Sequence, residues 1–142
     1  ATRSVIKDTV GSNVAISSAP TINLANRTAY PVTGTCSETG ETVVVRVGAV
    51  VSNVTCTLLT WSASMNVTAV ADAGAVVVSA DHSDAAGNAA TQATTLVLKD
   101  TVNPSVTIGS APTIINSNRT AYTVSGTCSE NTRTVSVSVG GV

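Results

Sequence analysis

The hydrophobic pattern along this 142-residue chain alternates with a period of two, the spacing of a pleated strand with one buried face. Tyr30, Val32, Gly34 and Cys36 alternate with Pro31, Thr33 and Thr35. After the turn signal Ser37-Glu38-Thr39-Gly40, Val43, Val45 and Val47 mark one face of a following strand. Further β-rich runs are predicted at 54–59, 65–70, 75–80 and 90–98, separated by Gly, Asn, Asp and Ser. A first strand is predicted near 14–22, interrupted by Pro20. About seven short strands at this spacing predict an all-β, antiparallel sandwich. A helical reading fails, because Val, Thr, Ser, Asn and Gly are mediocre to poor helix formers and no stretch sustains apolar residues at spacings of 3, 4 and 7.

The pattern also repeats at long range. Lys7-Asp8-Thr9-Val10 returns 92 residues later as Lys99-Asp100-Thr101-Val102, and 8–50 aligns with 100–142 without a gap at 27 identities in 43 positions. The expected organisation is therefore a last strand of a preceding unit (1–7), one complete unit (8–99) and the first part of another (100–142), a window on a tandem array. The junction, from Leu96 through Lys99-Asp100-Thr101 to Pro104, has no Gly/Ser-rich linker. Neighbouring units are expected to be held close, as in a stiff rod.

Composition changes this picture in three ways. Apolar residues make up 43% of the chain but aromatics only 2%, so the core must be built from Val, Ile, Ala and Thr, which suit pleated sheets. A net charge of −1 provides no basic patch, which argues against nucleic acid as a partner. No apolar run approaches the length of a membrane span. Of the three cysteines, Cys36 and Cys56 lie inside the complete unit and Cys128 repeats Cys36. We read Cys36–Cys56 as an intradomain disulfide, with a partner for Cys128 falling beyond the window, which places the protein outside the cytoplasm. Two buried free thiols are the alternative.

Candidate chemistry is sparse. Asp81, Asp84 and Asn88 cluster near a turn, and Asp100, or Asp8 in the same repeat position, lies at the unit boundary. Such oxygen ligands suit a calcium ion at a domain junction, the bland alternative being that they hydrogen-bond their own turns. His82 is the only histidine and is expected to be a solvated surface group. Trp61 is expected to pack beside the disulfide. Glu38 and Glu130 occupy equivalent turns. Four N-x-[ST] matches, at Asn26, Asn53, Asn66 and Asn118, mark segments expected to be exposed. No nucleophile, base and acid fall into a catalytic order and no Gly-rich phosphate loop is present, so an enzyme is not expected.

Asp100-Thr101-Val102-Asn103-Pro104 opening a unit, Val124-Ser125-Gly126-Thr127-Cys128-Ser129-Glu130 in its second strand and Asp84-Ala85-Ala86-Gly87-Asn88 near its end resemble the bacterial immunoglobulin-like repeats of large surface adhesins and biofilm-associated proteins. The resemblance implies a seven-stranded immunoglobulin-like sandwich, export to the extracellular cell surface, a stalk or spacer role and calcium at domain junctions. It carries the metal candidates to Asp84 and Asn88 with Asp8 or Asp100. The first unit lacks the counterpart of Pro104, and the cysteine pair is not general in such repeats. The implied partners are neighbouring repeats of the same chain, and identical chains in a fibre. The competing reading is a multivalent receptor- or glycan-binding module, or a filament subunit completed by a strand from a neighbouring chain.

Overall fold

A computed structural model describes residues 2–140. The described residues form an all-β structure in two compact units divided after Thr101.

In the first unit seven strands, β1 (Val14–Ser18), β2 (Tyr30–Cys36), β3 (Thr42–Val47), β4 (Val50–Thr55), β5 (Thr60–Met65), β6 (Ala73–His82) and β7 (Ala93–Lys99), form two antiparallel sheets. One has the order β1-β2-β5 and the other β4-β3-β6-β7. Their facing sides bury Tyr30, Val32, Val43, Val45, Val47 and Val78 completely. Burying a branched apolar side chain contributes roughly 1.5–3 kcal/mol, so a valine ladder replaces the aromatic core this chain lacks. The alternation in β2 and β3 follows the sequence reading residue by residue.

Two strands fall elsewhere than expected. The predicted runs at 54–59 and 65–70 are displaced from β4 and β5, because turns hide inside apolar sequence. Gly48, at a φ of +55°, and Ala49 close the β3–β4 hairpin within the valine-rich stretch 43–51. Leu58 and Leu59, both at positive φ, close a two-residue turn in which Thr57 and Thr60 exchange backbone hydrogen bonds. His82 is buried at 3% exposure rather than solvated, since it ends β6 on the inward-facing register. Residues 2–7, expected as a closing strand, lie in exposed coil.

Trp61 is buried beside Gly34, where any Cβ would lie 1.9 Å from the Ala15 carbonyl and 2.4 Å from the indole ring. Gly34 is thus required by close approach. The disulfide Cys36–Cys56 closes a separation of 20 residues and ties β2 to the end of β4, one from each sheet.

The second unit contains β8 (Val106–Ser110) and β9 (Ser125–Cys128). Their pairing is that of β1 and β2 shifted by 92: Val14↔Cys36 and Ile16↔Gly34 become Val106↔Cys128 and Ile108↔Gly126, with the register shift at the same place. Tyr30 donates to the Pro20 carbonyl and Tyr122 to the Pro112 carbonyl, each at 2.5 Å. Residues 134–139, the counterparts of β3, form no strand, and Val135, Val137 and Val139 are exposed where Val43, Val45 and Val47 are buried. Among the described residues, the strands that flank β3 have no counterpart in this unit.

Candidate functional site

The β6–β7 ladder runs from Ala80↔Ala93 to Ala73↔Lys99, and its length separates the boundary residues into two poles. Asp81, Asp84 and Asn88 lie at one pole. Asp100 follows β7 at the other.

At the N-terminal pole a turn after β6 is closed on itself. The Asp84 carboxylate accepts the Asn88 backbone N–H at 2.7 Å and its side-chain amide at 2.9 Å, and Gly87, at a φ of +91°, donates to the Asp84 carbonyl. The Asn88 side-chain bond is the main reason the Asp84 carboxyl is held below its ordinary range. Ser12 Oγ donates to the Asn88 carbonyl at 2.6 Å, and Glu38 accepts the Ala85 N–H at 3.1 Å. Asp8 itself accepts the Val10 N–H at 2.9 Å. Asp81 is ion-paired with Arg46 and accepts from Gln92. His82 sets Nδ1 3.0 Å from the Thr42 carbonyl, and its buried Nε2 has no partner. The structure therefore brings Asp84 and Asn88 together, engages Asp81 with Arg46, and places Asp100 a strand length away. Among the described residues, no three His, Cys, Asp or Glu side chains gather as a metal centre.

The C-terminal pole holds a cluster that the sequence reading missed. Lys99, its side chain only 3% exposed, donates to the Asp72 carboxylate at 2.9 Å and to the Val70 carbonyl. Thr101 gives Asp72 both its backbone N–H, at 3.0 Å, and its hydroxyl. Beside them Ile22 donates to the Leu98 carbonyl and accepts from the Asp100 N–H. The Asp72 carboxyl is pulled down to about 2, first by the Lys99 hydrogen bond and then by Thr101. A buried lysine needs such a partner, because an unpaired ammonium would keep the full cost of leaving water. The signal was present: Lys and Thr of Lys99-Asp100-Thr101 recur at Lys7 and Thr9 as faithfully as the aspartate between them.

A shallow cleft of about 570 Å³ lies over β1, β2 and β5, lined by hydroxyls including Ser17, Thr33, Thr35, Thr60 and Ser62. Trp61 borders it but is buried, so no ring is presented for stacking.

No family model and no curated protein matches the sequence. Among solved structures, the chain is similar to a bacterial immunoglobulin-like domain from the M. primoryensis ice-binding adhesin, at a TM-score of 0.50 and 22% identity, covering 65% of this chain and 100% of that one. It is also similar to a Ca2+-stabilized adhesin that helps an Antarctic bacterium reach out and bind ice, at a TM-score of 0.53 and 22% identity, covering 73% of this chain and 28% of that one. Two antiparallel sheets of three and four strands, closed around a valine core, together with these likenesses establish that the chain has the fold of a bacterial immunoglobulin-like domain.

Proposed function

We propose that this chain is a structural module of a long extracellular bacterial fibre or adhesin stalk, acting as a stiff spacer in a tandem array of 92-residue units. The observation that carries the reading is the clamp at the C-terminal pole. Asp72 holds Lys99 and Thr101, on either side of Asp100, so the last residues of the first unit are pinned to its sandwich. A tether that served only to connect would not need a buried cation at its root. The recurrence of Lys-Asp-Thr and of the β1–β2 register at 92 residues supports the array. The disulfide suits an extracellular, cell-surface location. Small-angle scattering from arrays of one to four periods tests this. The maximum dimension should grow in proportion to the number of units, and Asp72→Ala in every unit should shorten it. Growth as the square root of the number would show flexible beads and overturn the spacer reading.

Calcium at the junctions belongs to the same proposal. Asp84 and Asn88 are the N-terminal pole's contribution, and Asp8 or Asp100 would serve from the unit boundary. Calcium takes 6–8 oxygens, so a site here needs further ligands from an adjoining unit. In an array of three units, calcium should raise the melting temperature over chelator, and Asp84→Ala should remove the increment. Equal melting in both conditions would retire the ion.

A further inference from the structure

We propose that half of the sandwich is exchangeable between copies of this chain: residues 106–140 of one copy take the place of residues 14–48 in a second copy, against that copy's β4–β7. The interface required is already present in the first unit, where β2 pairs with β5 and β3 lies between β4 and β6. Every buried apolar residue between Val14 and Val47 recurs unchanged 92 residues on, Tyr30 as Tyr122, Cys36 as Cys128 and Val45 as Val137 among them. Outward positions are freer, since Val44 and Arg46 become Ser136 and Ser138. The backbone repeats with the core. The β8–β9 register is that of β1–β2, and Gly140 holds a φ of +67° where Gly48, at +55°, turns the chain toward β4. Val137 is 61% exposed where Val45 is fully buried, so the second half-unit carries the same apolar face open to solvent.

The exchange substitutes one set of core contacts by an identical set and gives up the Arg46–Asp81 ion pair, because Ser138 stands in that place. The released 14–48 is then left as 106–140 was, so the number of closed sandwiches does not change and protein concentration decides the balance. The acceptor is a second copy. Within one copy, residues 100–105 would have to run back the length of β7 to the pole where β1 begins, fully stretched, with Thr101 pulled off Asp72. The Cys36–Cys56 disulfide is the lock, since it ties β2 to the residue that follows β4. While the chain folds, the exposed free thiol of Cys128 competes with Cys36 for the same partner. The Cys128 thiolate attacks the Cys56 sulfur of the second copy. A Cys56–Cys128 bond forms, the Cys36–Cys56 bond breaks and Cys36 leaves as the thiolate, with no oxidant consumed.

The test mixes the whole chain with an isotope-labelled form of itself. The mixture is unfolded in acidic urea, where thiols stay protonated and do not exchange, then refolded at neutral pH at two concentrations about tenfold apart. Peptide mass spectrometry should find Cys56–Cys128 bridges that join labelled to unlabelled chains, rising about tenfold with concentration relative to Cys36–Cys56. Val137→Asp alters an exposed residue of the resting chain but would bury a carboxylate in the place of Val45 after exchange. It should cut the mixed bridges at least tenfold, and its Cys36–Cys56 peptide reports that the first unit still folds. Mixed bridges absent at both concentrations, or Cys56–Cys128 bridges confined to one isotope, would overturn the exchange between copies. Mixed bridges indifferent to Val137→Asp would show chance pairing of thiols and overturn it equally.

Discussion

At the scale of single residues, two side chains tie stability to pH at opposite ends of the scale. Burial pushes the Tyr30 hydroxyl up to about 12, so its contribution is complete below its ordinary value near 10 and is lost as pH rises from 10 to 12. Asp72 is pulled down to about 2 by Lys99 and Thr101, so its contribution is complete above its ordinary value near 3.8 and is lost as pH falls from there to 2. Thermal unfolding across pH should show a plateau between these windows. Tyr30→Phe should flatten the alkaline limb, and Asp72→Asn should shrink the acid limb without touching the alkaline one, Asp84 accounting for acid sensitivity that remains. An unaltered acid limb in Asp72→Asn would show that the clamp adds nothing to the fold. The tyrosine was legible in the sequence as the head of an alternating strand. Asp72 was not, because its importance comes from partners 27 and 29 residues away.

At the scale of elements, the β4–β5 turn is the misfit. A two-residue turn with both φ values positive favours Asn-Gly, yet Leu58 and Leu59 occupy it, at 83% and 53% exposure. A left-handed conformation costs an ordinary residue roughly 1–2 kcal/mol. Leu58→Asn with Leu59→Gly should therefore raise stability by about 1–2 kcal/mol in denaturant unfolding, and a loss would show that the leucines make compensating contacts. This pair also explains why the strand prediction slipped here. An apolar, β-compatible sequence reads as strand, and only the reversal of the chain around it reveals a turn. β2 and β3 were legible because one face of each is wholly buried, which forces strict alternation.

At the scale of the whole molecule, the disulfide joins the two sheets of the complete unit. Closing about 20 residues contributes roughly 3 kcal/mol by the chain-entropy account. Replacing Cys36 and Cys56 together by serine should lower the unfolding free energy of the first unit by about that amount, read by denaturant titration. A change below about 1 kcal/mol would show that the valine core suffices.

The sequence by itself determined the strand class, the faces of β2 and β3, the cysteine pair and the 92-residue period, since each is written in local alternation or in self-similarity. Tertiary structure alone decided that Asp84 and Asp100 belong to opposite poles, that His82 turns inward and that Asp72 anchors Lys99 and Thr101. Those are properties of distance across a ladder, and residues far apart in sequence meet only when the two sheets close.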